Sequence, residues 1–207
     1  MLTYEKEFFE QGYHLIVGCD EAGRGPLAGP VVAAACILPS DYHNEDINDS
    51  KKLTDKKRRA LLDEIENHAI AFGIGIVSAE KIDEINIYQA SRLAMNMAIE
   101  NMAHQFDLVL TDAMPLFGYD VPVIDIIKGD AKAQCIAAAS IIAKVTRDEM
   151  MEALDELYPQ YGFKHHKGYG TKEHLLALDK YGPIPGIHRY TYGPVQKAMH
   201  EQLSLFD

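Results

Sequence analysis

Four carboxylates stand at the ends of apolar segments and are the residues best suited to chemistry. They are Asp20, Glu21, Asp112 and Asp130. In open α/β sheets, functional sites form where strand ends release the chain into loops, so we expect these side chains to meet at one edge of a sheet. Such a cluster repels itself unless cations neutralise it, and an all-oxygen ligand set suits Mg²⁺ or Mn²⁺. Because paired ions of this kind serve in-line phosphoryl transfer, all four are candidate catalytic and metal-binding residues.

These carboxylates also have structural explanations. Adjacent strand residues point to opposite faces, so Asp20 and Glu21 share one site only if the backbone turns there, as the glycines that follow allow. Asp130 precedes a helical segment and is also suited to capping it. Asp125 is a nearby competitor, but it lies inside a predicted strand, which favours a structural or solvated role.

The elements that position these residues alternate between strands and helices over the first two thirds of the chain. Short apolar runs predict strands at residues 16–19, 31–38, 72–77, 106–110 and 121–127. Helical spacing predicts helices at residues 56–68, 88–103, 133–157, 172–179 and 194–202. The first two strands lack a long helix between them, which predicts antiparallel pairing, whereas the later strands are separated by helices and are expected to be parallel. The expected fold class is α/β, a mixed β-sheet flanked by helices.

Length and composition limit the classes of protein to which this sequence can belong. The chain has 207 residues, 47% of them apolar, which suits one domain with at most a small appendage. It has no apolar run long enough for a transmembrane helix, and its acidic N-terminal residues are unlike a secretory signal. Three scattered cysteines argue against a disulfide framework and a zinc site, and predict reduced thiols in a cytoplasmic protein.

The net charge of −11 argues against simple nonspecific nucleic-acid binding, since phosphate contacts dominate such affinity. Basic residues nevertheless concentrate within residues 51–59 and 164–167, and a local patch can hold a phosphate backbone. The segment Gly23-Arg24-Gly25 is a further candidate, because its glycines let backbone N–H groups approach a ligand and its arginine offers a phosphate fork. An ordinary glycine turn is the alternative for this segment.

Five ordered blocks of the sequence resemble one family, ribonuclease HII, the type 2 ribonuclease H of bacteria. The blocks are residues 20–32 (DEAGRGPLAGPVV), 49–53 (DSKKL), 128–130 with 138–148 (KGD, AASIIAKVTRD), 166–171 (HKGYGT) and 188–189 (HR). Together they span nearly the whole chain, so the resemblance is specific. The related ribonuclease HIII carries Ser and Lys where this chain has Ala22 and Arg24, which favours type HII.

The resemblance implies an RNase H-like fold with a C-terminal helical extension. It implies a catalytic core over residues 1–157, an extension over residues 158–201 that packs on the core and contributes to substrate binding, and a tail over residues 202–207. It further implies an endonuclease that hydrolyses RNA in RNA–DNA hybrids, including single ribonucleotides in duplex DNA. Such an enzyme cuts 5′ of the ribonucleotide, leaves a 3′-hydroxyl and a 5′-phosphate, and serves ribonucleotide excision repair and DNA replication. Mg²⁺ or Mn²⁺ held by the four carboxylates would activate water and stabilise the leaving oxygen.

The resemblance also implies a set of substrate-binding residues. They are Gly23, Arg24, Gly25, Lys51, Lys144, Tyr169, His188 and Arg189. In the family, backbone groups of the Gly-Arg-Gly loop read the 2′-hydroxyl, the group that separates RNA from DNA at one nucleotide. An aromatic ring, here the tyrosine, packs on the next deoxyribose, and the remaining four side chains would contact phosphates. For each of those four, a solvated side chain is the alternative.

One position departs from the family pattern. Ala113 stands where the family usually has glycine, so we expect the turn after Asp112 to differ.

The chain ends in residues 202–207, QLSLFD, which resembles the pentapeptide that bacterial DNA-processing proteins insert into the sliding clamp. Leu205 and Phe206 would be apolar anchors, with Leu203 beside them and Gln202 providing orientation. The alternative is a terminal turn folded back on the domain.

Three other functions stay open on the sequence. The first is a ribonuclease HIII-like hybrid nuclease, which the Arg24 motif disfavours. The second is a clamp-tethered nucleic-acid-binding module without chemistry, which a large separation of Asp112 or Asp130 from Asp20 would favour. The third is a phosphatase or other dimetal hydrolase of a small substrate, against which the basic clusters and the tail argue.

Overall fold

Five strands form one mixed sheet in the computed structural model, which describes residues 3–48, 50 and 53–203. The strands are β1 Ile16–Ala22, β2 Val31–Ile37, β3 Ala71–Val77, β4 Leu108–Asp112 and β5 Val123–Ile126. The sheet order is β3-β2-β1-β4-β5. β1 pairs antiparallel with β2 and parallel with β4, which pairs parallel with β5. The mixed sheet predicted from the connections is therefore confirmed.

Helices flank this sheet and form most of the C-terminal part. They are α1 Thr3–Glu10, α2 Asp55–His68, α3 Ala79–Ile85, α4 Ile87–Met102, α5 Gln134–Leu157, α6 Phe163–His166, α7 Lys172–Tyr181 and α8 Gly193–Leu203. The sequence patterns do not predict α1, α3 or α6, because helices of eight residues or fewer are too short to show a periodic apolar stripe. No helix in the described ranges is long and apolar enough to cross a membrane.

The chain divides into two compact units. The first comprises Met1–Ala22, Val32–Ile76 and Ser91–Val145, and the second comprises Gly23–Val31, Val77–Ala90 and Thr146–Asp207. The first unit contains most of the sheet, and the second contains the Gly-Arg-Gly segment and the C-terminal helices. The predicted core, extension and tail stay a prediction.

Close packing of α5 on β1 organises the core of the first unit. A Cβ atom on Gly18 would lie 2.2 Å from the main-chain carbon of Cys135, so only glycine lets the helix come this near. Small side chains continue the contact, since Ala137, Ala138 and Ala139 are fully buried. This approach fixes the first turns of α5 against the strand that carries Asp20.

The second unit has its own core of aromatic and imidazole rings. The rings of Tyr161 and Phe163 stack at 5.4 Å between centroids, and those of His166 and His174 stack at 4.6 Å. His188 packs against the same group and is buried with the other two histidines. Burial of three imidazoles requires hydrogen-bond partners for their nitrogens, and these partners lie in the loops described below.

Candidate active site

Three aspartates from different elements of the first unit meet at the carboxyl ends of neighbouring strands. Asp20 lies on β1, Asp112 ends β4, and Asp130 lies in the 3₁₀ turn Gly129–Ala131 after β5. The parallel register places Asp20 next to Asp112, because the residues before them are paired. One carboxylate oxygen of each aspartate lies within 4.8 Å of the other two. The strand ends therefore converge as the sequence predicts.

The backbone around Asp112 holds this arrangement together. Its Oδ1 accepts a hydrogen bond of 2.8 Å from the Gly129 N–H, which ties the turn that carries Asp130 to the end of β4. Ala113, the next residue, has a φ of 51°, and the Thr111 hydroxyl closes this turn with a 2.7 Å bond to the Met114 carbonyl. A left-handed φ strains any residue with a Cβ, which explains why glycine suits this position and alanine is a departure.

The electrostatics of the cluster favour a bound cation. Burial raises the pKa of Asp20 well above its ordinary value, and the charges of Glu21 and Asp112 raise it further. Hydrogen bonds from the Ser140 side chain and the Glu21 N–H oppose this rise. An octahedral ion about 2.1 Å from its ligands holds their oxygens roughly 3–4 Å apart, so an oxygen group of this span fits one hard divalent ion with little adjustment.

Glu21 follows Asp20 on the same strand. β1 continues to Ala22, so the sequence prediction that the strand stops before Asp20 is too short. Strand alternation separates the two side chains, although Glu21 is close enough to raise the pKa of Asp20. Within the described ranges, the group of converging ligand oxygens comprises the three aspartates and does not include Glu21. Its metal role stays a prediction.

Two buried arginines hold the Gly-Arg-Gly loop of the second unit. Arg189 is 0% exposed and Arg147 is 1% exposed. The guanidinium of Arg189 donates bonds of 2.6–3.2 Å to the carbonyls of Gly23, Arg24, Gly29 and Pro30. That of Arg147 donates bonds of 2.9–3.0 Å to the carbonyls of Pro30, Ala28 and Lys167. The loop conformation is thus set by main-chain bonds to two internal cations.

The two glycines of this loop differ in what their surroundings require, and only Gly23 has no room for a side chain. Gly23 has a φ of +102°, and a Cβ there would lie 2.1 Å from Nε of Arg147. Gly25 lies against the ring of Tyr169, because a Cβ atom built on Gly25 would be 3.4 Å from Cε1 of that ring. Arg24, Gly25 and Tyr169 are exposed, the last at 47%. The loop therefore presents backbone and one aromatic face to solvent.

A chain of neutral imidazoles supports Tyr169 from behind. The Ile184 N–H donates to Nδ1 of His188 at 2.9 Å, so the proton of that ring lies on Nε2. Nε2–H of His188 donates this proton to Nε2 of His174 at 3.1 Å. Nδ1–H of His174 in turn donates to the Tyr169 carbonyl at 3.0 Å. Burial lowers the pKa of His174 to about 4 and that of His188 to about 3, which keeps both rings neutral. The bonding pattern fixes both tautomers.

The remaining predicted residues fall in several environments. Lys144 is half-buried on α5, one helical turn after Ser140. His188 and Arg189 are buried and bonded to main-chain groups, so their phosphate contacts stay a prediction that this burial disfavours. Lys51 lies outside the described residues, as do Leu205 and Phe206. Gln202 and Leu203 form the last turn of α8, and their side chains are also outside the description.

Sequence reasoning assigned no role to Arg147 or Ser140. Both lie within the block 138–148, where an arginine and a serine interrupt a long apolar helix. A buried polar residue requires a partner, so these interruptions are the available signal. The Pro30 and Ala28 carbonyls that Arg147 contacts, and the aspartate that Ser140 contacts, are however more than one hundred positions away in the sequence.

The fold is shared with solved ribonucleases H. The crystal structure of the ribonuclease H2 from Pyrococcus horikoshii matches with a TM-score of 0.78 and 26% identity, covering 93% of this chain and 99% of that one. A structure of the PCNA:RNase HII complex from Archaeoglobus fulgidus matches with a TM-score of 0.70 and 27% identity, covering 86% and 95%. These matches confirm the RNase H-like fold class predicted from the sequence.

The family follows from the sequence comparison. The family model for ribonuclease HII matches residues 17–195. The ribonuclease HII of Enterococcus faecalis is 56% identical over 198 residues, which cover 95% of this chain and 76% of that protein. The chain belongs to the ribonuclease HII family. It is an endonuclease of RNA–DNA hybrids, and the aspartate cluster agrees with the divalent-metal dependence of such enzymes.

Proposed function

We propose that this enzyme also cuts at single ribonucleotides embedded in duplex DNA. The cut would fall 5′ of the ribonucleotide and leave a 3′-hydroxyl and a 5′-phosphate, in a role in ribonucleotide excision repair and DNA replication in the cytoplasm. The observation that carries the proposal is the convergence of Asp20, Asp112 and Asp130 within 4.8 Å. A cluster of this kind suits phosphodiester hydrolysis, whereas a binding module would gain nothing from the like-charge repulsion.

The three aspartates would hold the metal, and Glu21 would complete the ligand set for a second ion. Bound Mg²⁺ or Mn²⁺ would supply an activated water and a counter-charge for the leaving oxygen. Asp112, fixed by the Gly129 N–H, would keep a constant position as the other carboxylates adjust. Asp20, buried and bonded to Ser140, would contribute its charge only when a cation offsets its desolvation.

The Gly-Arg-Gly loop would identify the ribose. A 2′-hydroxyl both donates and accepts hydrogen bonds, so rigid peptide groups can read it. Arg189 occupies the carbonyls of Gly23 and Arg24 from the inner side, which leaves the outer side of the loop for the sugar. Tyr169, whose ring lies against Gly25, would pack on the next deoxyribose and reject a nucleotide displaced from that position. Lys51 and Lys144 would contact phosphates.

We assign Arg189 and His188 to positioning rather than to phosphate contact. Both side chains are enclosed, and each has a main-chain partner in a substrate-facing loop or in the segment that supports one. Removal of Arg189 would therefore alter the discrimination between ribose and deoxyribose more than the salt dependence of binding. A residue that contacts phosphate would show the opposite pattern.

A nicking assay tests the proposed activity. Duplex DNA with one ribonucleotide should be nicked on its 5′ side in Mg²⁺ or Mn²⁺, and Asp20→Asn should abolish the product. Asp125→Asn is the matched control, because Asp125 is an exposed aspartate of β5 outside the cluster. Equal cleavage of an all-DNA duplex, or full activity in chelator, contradicts the proposal. Cleavage confined to long hybrids would support the ribonuclease HIII-like alternative.

We also propose that residues 202–207 bind the bacterial sliding clamp. The support is the QLSLFD sequence, together with the likeness to the ribonuclease HII that was solved in complex with PCNA. Gln202, Leu203, Leu205 and Phe206 would make the contacts. Replacement of both Leu205 and Phe206 by Ala should abolish binding to purified clamp in a pull-down while hybrid cleavage continues. Clamp binding that survives this replacement would exclude the tail as the binding segment.

A further inference from the structure

Two buried serines connect Asp20 to the segment that carries the first basic cluster. The close packing of α5 on β1 brings Ser140 beside Asp20, since a Cβ on Gly18 would lie 2.3 Å from the main-chain nitrogen of Ile136, one helical turn before Ser140. The Ser140 side chain there hydrogen-bonds to the Asp20 carboxylate. Its Oγ also lies 2.8 Å from Oγ of Ser50, and the two serines are 4% and 2% exposed. All three residues belong to the first unit. Ser50 lies ninety positions from Ser140, so folding builds this contact and local sequence does not.

The direction of the hydrogen bonds follows from the donor inventory. When Asp20 is ionised, as metal binding requires, its carboxylate only accepts, so the single hydroxyl proton of Ser140 points to Asp20. The oxygen of Ser140 can then only accept from Ser50, whose own proton is thereby committed. The relay runs in one direction, from Ser50 through Ser140 to Asp20.

The outer end of the relay is fixed by the basic helix α2. Arg58 donates through Nη1 to the carbonyl of Ser50 at 2.9 Å and to that of Leu53 at 2.5 Å. The segment that contains Ser50 is therefore tied to α2 on one side and to Ser140 on the other. Lys51 and Lys52 follow Ser50 directly in the sequence, so their attachment point is the residue that begins the relay.

We propose that Ser50 and Ser140 are positioning residues that orient the Asp20 carboxylate for metal binding. This rests on the proposed metal role of Asp20. Ser140 acts on the carboxylate directly, and Ser50 acts only by holding the Ser140 hydroxyl in its donating orientation. The same relay links the first metal ligand to Ser50. Groups that orient metal ligands in this way contribute about 10–100-fold to metal affinity.

The experiment is a Mn²⁺ titration of the substrate-free protein by isothermal calorimetry. Ser140→Ala should weaken Mn²⁺ binding about 10-fold, and Ser50→Ala should weaken it less, roughly threefold. In the double variant, the loss should equal that of Ser140→Ala alone, because Ser50 acts through Ser140. Ser91→Ala is the matched control, since Ser91 is a buried serine of α4 whose Oγ has no partner among the described residues, and it should leave Mn²⁺ affinity unchanged.

Three results would overturn the inference: unchanged affinity in Ser140→Ala, unchanged affinity in Ser50→Ala, or additive losses in the double variant. Asp20→Asn tests the metal role of Asp20 separately from the role of the two serines. If Asp20→Asn binds Mn²⁺ as tightly as the wild type does, the proposed metal site itself is wrong. Thermal unfolding in chelator identifies any variant that does not fold. If Ser140→Ala does not fold, Ser140→Cys, which keeps the shape of the side chain with a slightly larger atom and weakens the donor, should show the same loss of affinity.

Discussion

The aspartate cluster of the first unit and the Gly-Arg-Gly loop of the second differ in the source of the positive charge that balances their oxygens. In the cluster, Asp20, Asp112 and Asp130 gather negative charge that the fold leaves for an external cation. In the loop, carbonyl oxygens converge on the guanidinium groups of Arg147 and Arg189, which the chain itself provides. The cluster should therefore depend on metal for its stability and order, whereas the loop should be complete as soon as the second unit folds.

Neutralising one ligand gives the largest effect and separates activity from stability. Asp20→Asn should reduce hybrid cleavage more than ~100-fold, because a metal ligand is lost. In chelator, the same change should raise the free energy of unfolding, since the raised pKa of Asp20 shows that its charge is unfavourable without a cation. Cleavage assays and urea unfolding in chelator measure the two quantities. A variant that loses both activity and stability would remove the contrast between the regions.

Removing an internal cation should lower the free energy of unfolding, whereas neutralising Asp20 should raise it. Arg189→Met leaves several buried carbonyls without a donor and should lower the free energy of unfolding by about 3 kcal/mol, with or without metal. Preference for ribose over deoxyribose should fall in the same variant, as measured by competing substrates. Arg189→Lys is the informative comparison, because a lysine keeps the charge but cannot reproduce the planar fork. Full recovery by lysine would mean that charge alone holds the loop.

Acid should weaken the loop region through its imidazoles. The folded-state pKa values of His174 and His188, about 4 and about 3, lie below the ordinary value of 6.5. The unfolded chain therefore takes up protons first as pH falls, so the stability present above pH 6.5 is lost as pH falls toward those values. Each histidine should remove roughly 2 kcal/mol between pH 6.5 and 5. Urea unfolding of His188→Gln should show a shallower pH dependence, and the exposed His104→Gln should match the wild type.

The smallest expected effect concerns the turn after Asp112. Ala113→Gly should raise the free energy of unfolding by about 1 kcal/mol, because glycine adopts the φ of 51° without Cβ strain. Ala60→Gly provides the opposite case, since Ala60 is an exposed residue inside α2 and should lose about 1 kcal/mol. Urea unfolding measures both. A loss of stability in Ala113→Gly would show that the turn gains from its alanine.

The sheet and the cluster were largely predictable because both follow from connections along the chain. A short link between the first two strands requires an antiparallel pair, and helices between later strands allow parallel ones. Aspartates at the ends of neighbouring parallel strands then must approach each other, as Asp20 and Asp112 do. Glu21 shows the limit of this reasoning, since strand alternation and the length of β1 decide its direction.

The supporting residues could not be predicted, because their partners are distant in sequence. Arg189 bonds to carbonyls about 160 positions away, and Ser140 to a serine ninety positions away. Their burial follows from packing rather than from any local pattern. A polar residue in an apolar segment indicates that a partner exists, but only the folded chain identifies it.

Among the described residues, two internal arginines and several ion pairs engage cations that could otherwise contact a nucleic acid. Lys57 pairs with Asp46, Arg59 with Asp55, and Lys167 with Glu152, in a chain whose net charge is already −11. Each phosphate that a protein neutralises releases counterions from the duplex, and the number released sets how steeply affinity falls with salt. Affinity for a duplex should therefore depend only weakly on ionic strength. Recognition of the sugar, rather than attraction to the polyanion, should determine the position on the duplex at which the enzyme binds.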